Sequence, residues 1–426
     1  MARVTRLSQR RHVVVLAIAT AVGLTVPPAA AAETASVAAL PEPVKLAPDL
    51  PGSSYFGSSV ALSGDTVLVG APEDNAPETE SGSAIVYIAA DGGGWQEQAK
   101  LVADDATSGD NFGDSVALDG DTAVVGAPYD RPGGVYDAGS AYVFVRSGST
   151  WTQQAKLVPS TIGYDSSAAW SVAVKGDVAV VGQPRGGPGD GGGAVIIFTR
   201  SGTTWTEEAV LEDLETDQGT GFGGAVAIDG ETLVVGQAPH GYVYGDPQYN
   251  SAYVYVGSGA TWTLQAVLAT SEVGLPDSFG GAVDVKGDTV VVGAGDCSAG
   301  GVREGGCAYV FQRSGTTWTQ EAQLVGSEVK LWDRFGQAVA VDGKTIMVSS
   351  YDYDVAPGYG AGGAAYIFRR NGTTWTEKRL LVSPDPPAND HFGYAMDLER
   401  KAPGERTLVI GAFWHDHSRG AAYVYR

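Results

Sequence analysis

The sequence predicts an all-β fold: a seven-bladed β-propeller of four-stranded antiparallel blades, closed by an N-terminal strand that completes the last blade. Three observations support this prediction. A unit of roughly fifty residues occurs seven times, each unit contains strand-like segments in a fixed order, and the last unit lacks one strand that the N-terminal region supplies.

Two aromatic markers recur along the chain at nearly constant intervals. The first stands at the start of each unit, at spacings of 52 to 58 residues, and is followed by Gly in six units. Trp170 is assigned to this position in the third unit, and the other six markers are Phe56, Phe112, Phe222, Phe279, Phe335 and Phe392. The second marker ends the units, at Trp95, Trp151, Trp205, Trp262, Trp318 and Trp375. Such self-similarity indicates a repeat architecture.

The second unit shows the strand pattern most clearly. Residues 112–118 read FGDSVAL and lead into the sequence Asp-Gly-Asp at 119–121, which is typical of a two-residue hairpin turn. Residues 122–128, TAVVGAP, are apolar enough for burial on both faces of a strand. After a loop, residues 139–145 and 151–158 give the third and fourth strand patterns. Four antiparallel strands in a unit of this length indicate a propeller blade.

The two ends of the chain complement each other. The seventh unit contains three strand patterns and reaches Arg426 without a fourth. Residues 43–46, PVKL, match the segments AKLV and AVL that end other units. We therefore expect this segment to complete the seventh blade as its outer edge, which removes an open seam. A fourteen-stranded sandwich is the rival arrangement, but it does not explain the displaced strand.

These motifs resemble those of bacterial FG-GAP repeat proteins, which are related to the N-terminal propeller of integrin α chains. The FG motif stands at the unit starts, and a complete GAP motif ends the second strand at residues 70–72 and 126–128. The motif has drifted in the other units, to GQP at 182–184, GQA at 236–238, GAG at 293–295, SSY at 349–351 and GAF at 411–413. The resemblance covers about residues 43–426 and implies extracellular recognition without naming a ligand.

The first 32 residues have the composition of a signal peptide. Four arginines precede an apolar stretch from Val13 to Val26, and alanines follow up to Ala32. We expect cleavage after Ala32, a short tail at residues 33–42 and a propeller at residues 43–426. No later stretch is long enough for a membrane span, so we expect a secreted protein.

The chain is strongly acidic. Its formal net charge is −22, and removal of residues 1–32, which contain four arginines and no acidic residue, leaves −26. This charge argues against nucleic acid or an anionic membrane surface as a partner. It suits solubility in an extracellular medium, cation binding or a basic partner.

Calcium binding of the integrin type is not expected. The repeats of that family often carry a calcium loop of the form DxDxDG between the first and second strands. The corresponding turns here are as short as SGD at 63–65 and KGD at 175–177. Three residues cannot supply six or more oxygen ligands to one Ca²⁺. We interpret these segments as hairpin turns.

The long loops of the predicted propeller share one face, because they connect second to third strands and fourth to first strands. Variable loops on a rigid scaffold commonly carry binding residues. Aromatic and acidic side chains in these loops suit a carbohydrate, a cationic group or a protein partner, although tyrosines that merely pack the loops would give the same pattern. The candidate ligand-binding residues are Tyr129, Asp130, Tyr136, Tyr244, Tyr249, Tyr351, Asp352, Tyr353, Asp354 and Trp414.

Three histidines form a candidate metal site. His391, His415 and His417 fall in the long loops of the seventh unit, next to Asp390 and Asp416. Imidazole and carboxylate ligands suit Zn²⁺ or a similar divalent ion. Solvated loop histidines would give the same sequence, so the residues make a divalent metal possible without establishing any cofactor.

Cys297 and Cys307 are the two cysteines of the chain, and they flank one loop between second and third strands. Antiparallel strands bring the ends of such a loop together, and an exported chain meets oxidising conditions. We therefore expect a disulfide between them.

These features favour a secreted binding or adhesion module that recognises a protein or carbohydrate ligand through its long-loop face. The alternatives are a secreted propeller enzyme acting on glycans, as a hydrolase or a lyase, and a structural cell-surface protein. The sequence contains no hydrolase nucleophile elbow, phosphate loop, HExxH motif or CxxC motif. A propeller enzyme acting on glycans is therefore the less favoured interpretation.

Overall fold

The computed structural model describes residues 42–75, 77–186, 192–212, 221–237, 251–270, 278–354, 361–385, 389–402 and 405–426. These residues form seven four-stranded antiparallel sheets in a ring, and nearly all of the regular structure is β. The seven-bladed β-propeller predicted from the sequence is confirmed. The expected signal peptide, residues 1–32, lies outside the described residues.

Each blade has four strands, which are counted from the central channel outwards. The strands are Val60–Ser63, Thr66–Ala71, Ser83–Ala89 and Trp95–Leu101 in blade 1; Ser115–Asp119, Thr122–Ala127, Ser140–Ser147 and Thr150–Leu157 in blade 2; Ser171–Lys175, Val178–Gln183, Ala194–Ser201 and Thr204–Glu212 in blade 3; Phe222–Asp229, Thr232–Gln237, Ser251–Ser258 and Thr261–Leu268 in blade 4; Phe279–Lys286, Thr289–Ala294, Cys307–Ser314 and Thr317–Leu324 in blade 5; Val339–Asp342, Thr345–Ser350, Ala364–Asn371 and Thr374–Val382 in blade 6; and Met396–Ala402, Glu405–Ala412, Ala421–Tyr425 and Val44–Leu46 in blade 7. Within the described residues there are also two short helical turns, Pro132–Gly134 and His415–Ser418.

The core of the molecule lies between neighbouring blades. All six residues of the second strand Thr122–Ala127 are buried, because other blades cover both of its faces. The aromatic marker of the repeat fills the same space: Phe112 makes edge-to-face contacts with Tyr142 and Phe144, at centroid distances of 5.4 and 5.9 Å. Side chains of blades 1 and 2 together form one apolar cluster around Phe112.

Two glycines of the repeat bring neighbouring blades into backbone contact. The amide of Gly113, the glycine of FG, donates to the carbonyl of Gly126, the glycine of GAP in the same blade, at 2.9 Å. The carbonyl oxygen of Gly113 lies against Gly70 of blade 1, where an added Cβ atom would approach it to 2.0 Å. A side chain at residue 70 would therefore force the blades apart. The same approach to the next blade recurs at Gly126, Gly182, Gly236, Gly293 and Gly411.

The assignment of Trp170 to the aromatic marker was wrong. A parallel bridge joins Phe112 to the start of the third strand of blade 1, and the equivalent bridge of the third unit is formed by Ala168. Ala168 and Ala169 therefore occupy the FG position, and Trp170 follows two residues after the marker. Ala168 is fully buried whereas Trp170 is only partly buried. The spacing led to the wrong residue because the third unit has an alanine at the marker position, so no aromatic residue identifies that position in the sequence.

Tryptophans near the outer edge link one blade to the next. The indole Nε1 of Trp151 donates to Gln98 of blade 1 at 2.9 Å, and the same bond joins Trp205 to Gln154, Trp318 to Gln265 and Trp375 to Glu321. The indole nitrogen of Trp95, however, is buried without a hydrogen-bond partner. The position of Gln98 corresponds to Pro43 in the N-terminal strand, and proline has no side-chain acceptor.

The N-terminal strand closes the ring as predicted. Val44–Leu46 pairs antiparallel with Ala421–Tyr425 and forms the outer edge of blade 7. Leu46 is buried in an apolar cluster that includes Phe56 and Val69 of blade 1. The closing strand therefore stabilises the last blade and its contact with the first.

The glycine contact predicts a large effect of a small side chain. We expect Gly70→Ala to lower the free energy of unfolding by about 1–3 kcal/mol, because the new Cβ would overlap the carbonyl oxygen of Gly113. Thermal and urea denaturation measure the change. The control is Gly94→Ala in the same blade, where a Cβ meets no atom within 4 Å and the expected effect is within about 0.5 kcal/mol. Equal stability of the two variants would contradict the contact.

The closing strand predicts a second effect on stability. We expect Leu46→Ala to lower the free energy of unfolding by about 2–5 kcal/mol, because the side chain is buried between the last and first blades. Urea denaturation compares this variant with Glu42→Ala, which changes an exposed residue beside the same strand. The role of the strand in closure is refuted if both variants unfold at the wild-type urea concentration.

Candidate functional site

The two faces of the ring differ in their connections. On the turn face, first and second strands of blades 1 to 6 are joined by two-residue turns that begin with a glycine of positive φ, for example 58° at Gly120 and 59° at Gly176. The interpretation of these segments as hairpin turns is confirmed. The long loops lie on the loop face, where backbone hydrogen bonds join several of the described loops to their neighbours. The amide of Asp165, for example, donates to the carbonyl of Tyr136 at 3.0 Å.

The central channel at the turn face has a volume of about 170 Å³ and is lined by the ends of the first strands. Carboxylates there accept hydrogen bonds from the turn amides of the next blade. Asp119 accepts one from Gly176 at 2.7 Å, and Asp229 accepts one from Gly287 at 2.8 Å. Lys175 also contacts Asp119, at 2.8 Å. These charged groups therefore tie blades together around the channel.

Two further carboxyl groups line this channel, at a position that holds Ala in the other five blades. Asp284 accepts a hydrogen bond from the Val341 amide at 2.6 Å, and Asp397 accepts one from the Leu62 amide at 2.7 Å. Burial raises the pKa of Asp284 to about 7. Burial, together with the charge of Asp284, raises the pKa of Asp397 to about 8. Both groups are engaged with backbone amides of neighbouring blades.

The loop face carries an aromatic cluster around blade 7. Tyr394 and Phe413 have ring centroids 4.3 Å apart, and His391 lies 5.4 Å from Phe413. Tyr55 of blade 1 stacks beside Trp414 at 6.2 Å with an interplanar angle of 29°. Tyr394 and Trp414 are exposed to solvent. The blade 7 cluster is defined as Tyr55, Tyr351, His391, Tyr394, Phe413 and Trp414.

Local backbone geometry positions these rings. Tyr55 and His391 immediately precede the phenylalanine of FG, and each has a positive φ, 52° and 50° respectively, as has the residue at this position in every other blade. Tyr351 and Phe413 stand where a complete GAP motif has proline. Sequence reasoning missed Tyr55, Tyr394 and Phe413 as site residues. The drift of GAP to SSY and GAF was the signal that could have indicated this region.

Charged groups border the blade 7 cluster. The guanidinium of Arg334 donates to the Tyr351 hydroxyl at 3.1 Å, and its Nε lies 3.4 Å from a carboxylate oxygen of Asp352. The other oxygen of Asp352 lies 3.3 Å from Nδ1 of His391. Burial, and after it the charge of Asp352, raises the pKa of Tyr351. The cluster thus combines exposed aromatic faces with planar polar groups that can donate and accept hydrogen bonds.

The structure sorts the sequence-predicted ligand residues into groups. Tyr351, Asp352 and Trp414 lie together in the blade 7 cluster and its border. Tyr129 and Tyr136 lie on loops of blade 2, at the same face. The remaining tyrosines of the prediction, Tyr244 and Tyr249, lie outside the described residues.

Three other predicted ligand residues stabilise their own loops. Asp130 is buried, accepts a hydrogen bond from Ser140 and forms an ion pair with Lys156 at 2.7 Å. Tyr353 is buried in the apolar cluster of blade 6. Asp354 is exposed and forms an isolated β-bridge with Ala361. Asp130 and Tyr353 therefore present little surface to a ligand.

The three histidines of the candidate metal site have different surroundings. His391 packs in the blade 7 cluster. Nδ1 of His415 lies 3.2 Å from Asp390, and its Nε2 lies 2.7 Å from the ammonium of Lys45. His417 is almost completely exposed. The described part of the chain contains no group of three or more His, Cys, Asp or Glu side chains arranged to hold a metal. A zinc site at these residues stays a prediction that metal analysis of the purified protein would test.

The predicted disulfide between Cys297 and Cys307 is confirmed. It closes the loop between the second and third strands of blade 5. Blade 1 has a hydrogen bond at the equivalent place, donated by the Ser83 hydroxyl to Asp74 at 2.6 Å. The disulfide therefore replaces a polar contact of the repeat. No helix within the described ranges is long and apolar enough to cross a membrane.

The channel carboxyls predict a pH dependence of stability. Asp397 has a pKa of about 8 in the folded chain and an ordinary value of 3.8 when exposed, so the folded state keeps a proton that the unfolded state has lost. We therefore expect the free energy of unfolding to fall as pH rises from about 4 to about 8. Urea denaturation at several pH values should show a shallower fall for Asp397→Asn.

The control for this prediction is Asp65→Asn. Asp65 has a pKa lowered mainly by its hydrogen bond from Lys401, so its contribution is lost only at acidic pH. The control should leave the fall between pH 5 and pH 8 unchanged. A wild-type stability that stays constant over this range would contradict the prediction.

Comparison with known proteins identifies the repeat. The model of the FG-GAP repeat matches residues 45–87, 95–144, 151–198, 205–255, 262–311, 318–368 and 375–425. Each match begins in the fourth strand of one blade and ends in the third strand of the next, so the first one begins in the closing strand. No curated protein matches the chain. Because the seven matches together span most of residues 45–425, the chain belongs to the FG-GAP repeat family.

Proposed function

We propose that the chain is a secreted binding module that recognises a carbohydrate through the blade 7 cluster. The observation that supports this proposal is the exposure of Trp414 and Tyr394 beside the paired charges of Arg334 and Asp352. Aromatic faces stack on the apolar faces of sugar rings, and planar charged groups bind pairs of hydroxyls. The cluster offers both kinds of contact on one rigid surface.

The fold and the family support a binding role. FG-GAP propellers are generally binding modules. Four-stranded blades closed into a ring hold the loops in fixed positions, and such a scaffold limits the ordering that a ligand must impose. The disulfide and the N-terminal composition of residues 1–32 support an extracellular location.

A carbohydrate is favoured over a protein partner by the size and charge of the exposed surface. A stable protein interface buries about 800 Å² on each partner and usually centres on a well-packed apolar patch. The blade 7 cluster exposes chiefly Trp414 and Tyr394, and charged groups border it. Small aromatic platforms with adjacent polar groups suit single sugar rings better.

We expect Trp414→Ala to weaken binding of a glycan selected on an array by about tenfold or more, because exposed tryptophans dominate such contacts. Isothermal titration calorimetry measures the affinity, and circular dichroism checks the fold. The control is Leu264→Ala, which removes an equally exposed apolar side chain from the outer strand of blade 4.

Two results would overturn the proposed function. One is the absence of binding to any glycan on the array, especially if a protein partner is captured instead. The other is a folded Trp414→Ala variant that binds the selected glycan as tightly as the wild-type protein.

A further inference from the structure

A second exposed aromatic pair lies on the loop face, at blades 2 and 3. Tyr136 is 46% exposed and Tyr164 is 76% exposed, and their rings stack at 5.4 Å with an interplanar angle of 20°. The guanidinium of Arg131 lies 4.5 Å from the ring centre of Tyr136. The hydrogen bond from the Asp165 amide to the Tyr136 carbonyl fixes the two loops to each other. Tyr136 and Tyr164 are called the rim pair.

The rim pair and the blade 7 cluster lie on the same face of the ring, separated by the loops of blade 1. Partial burial of the Tyr394 phenol and, after it, the charge of Asp114 of blade 2 raise the pKa of this tyrosine of blade 7. Blade 1 separates these blades in the ring, and both residues stand just before a first strand, at the loop-face end of the channel. Asp114 acts in the same way on Tyr129, which also lies near Arg185 and Asp165. Asp165 is the neighbour of Tyr164 in the chain.

The charges along this line are balanced in pairs. Three arginine–aspartate pairs accompany the exposed rings, at 3.4 to 3.5 Å: Arg131 with Asp137, Arg185 with Asp165, and Arg334 with Asp352. Their arginine side chains are 42–48% exposed. The arginine–aspartate pairs beside the rings therefore supply hydrogen-bonding groups whose charges cancel within each pair.

Arginine–aspartate pairs elsewhere in the repeat are different. Arg146 with Asp121, and Arg200 with Asp177, lie at 2.6 and 2.7 Å, and these arginine side chains are only 15% and 17% exposed. Each of these arginines also donates a hydrogen bond to a threonine of the preceding blade, Arg146 to Thr66 and Arg200 to Thr122. The longer and more exposed pairs of the loop face have donors and acceptors that remain accessible to a ligand.

We infer that the ligand is an extended neutral polysaccharide that spans the channel opening, with one part on the blade 7 cluster and another on the rim pair. This inference rests on the proposed function. Two separate aromatic platforms on one face match two sugar rings at different positions along one polysaccharide chain. Paired charges beside the rings, in a strongly acidic chain, give no attraction to a polyanion such as nucleic acid. Two contacts on one chain also raise the affinity by effective concentration.

The test uses a panel of unbranched neutral polysaccharides, among them glucans, mannan and xylan, in affinity electrophoresis with the full folded chain. Oligosaccharides of the best-bound polymer, from disaccharide to decasaccharide, are then titrated by calorimetry. We expect a step in affinity at the length that reaches the second platform. Tyr164→Ala should remove this step and weaken polymer binding about fivefold, while disaccharide binding stays unchanged. Trp414→Ala should weaken both, and Leu264→Ala neither.

The outcomes separate the inference from the proposed function. If Trp414→Ala weakens binding but Tyr164→Ala binds the polymer as tightly as wild type, the proposed function stands and the extended ligand is refuted. The same holds if affinity is independent of chain length, or if only charged glycans bind. If no glycan of any kind binds, both fail.

Discussion

The contact between the glycine carbonyl of FG and the glycine of the preceding GAP sets the distance between blades, and the rest of the ring depends on it. It is relaxed at one interface. Ser349 replaces the GAP glycine of blade 6, and a Cβ at Gly393 of blade 7 would lie 2.8 Å from the nearest oxygen, compared with 2.0 to 2.6 Å at the other FG glycines. Tyr351 follows two residues later, in the blade 7 cluster. The close glycine contact between neighbouring blades is therefore relaxed next to the candidate site.

The fold could be predicted from the sequence because hairpin turns, buried strands and markers such as Phe112 recur in register. The candidate site could be predicted only in part. Tyr351 and Trp414 were found because they stand in long loops, whereas Tyr55 belongs to the first blade and meets Trp414 only when the ring closes. A contact between the first and last blades cannot be recognised from the local sequence of either blade. Ala168 shows the same limit, since a small residue can hold an aromatic position without any periodic signal.

A repeated framework allows different chemistry at one position. The third residue after the second strand is Asp130 in blade 2, Cys297 in blade 5 and His415 in blade 7. Asp130 pairs with Lys156, Cys297 forms the disulfide, and His415 meets Lys45 of the closing strand. Each partner comes from the third or fourth strand of the same blade. The backbone therefore brings two side chains together at the same place in each of these blades, while the type of contact between them differs.

The closing strand also determines at what stage of synthesis the ring of blades can close. Val44 pairs with Val424, so almost the entire chain must be synthesised before blade 7 can acquire its outer edge. Until the two segments pair, Val44–Leu46 and the outer side of Ala421–Tyr425 both present unpaired backbone groups that could pair with another chain. Contacts between segments so distant in sequence form late, because the intervening chain loses conformational entropy before the contacts can stabilise the fold. A chain that crosses a membrane with its N-terminus first must keep that segment unpaired until its last residues arrive on the same side.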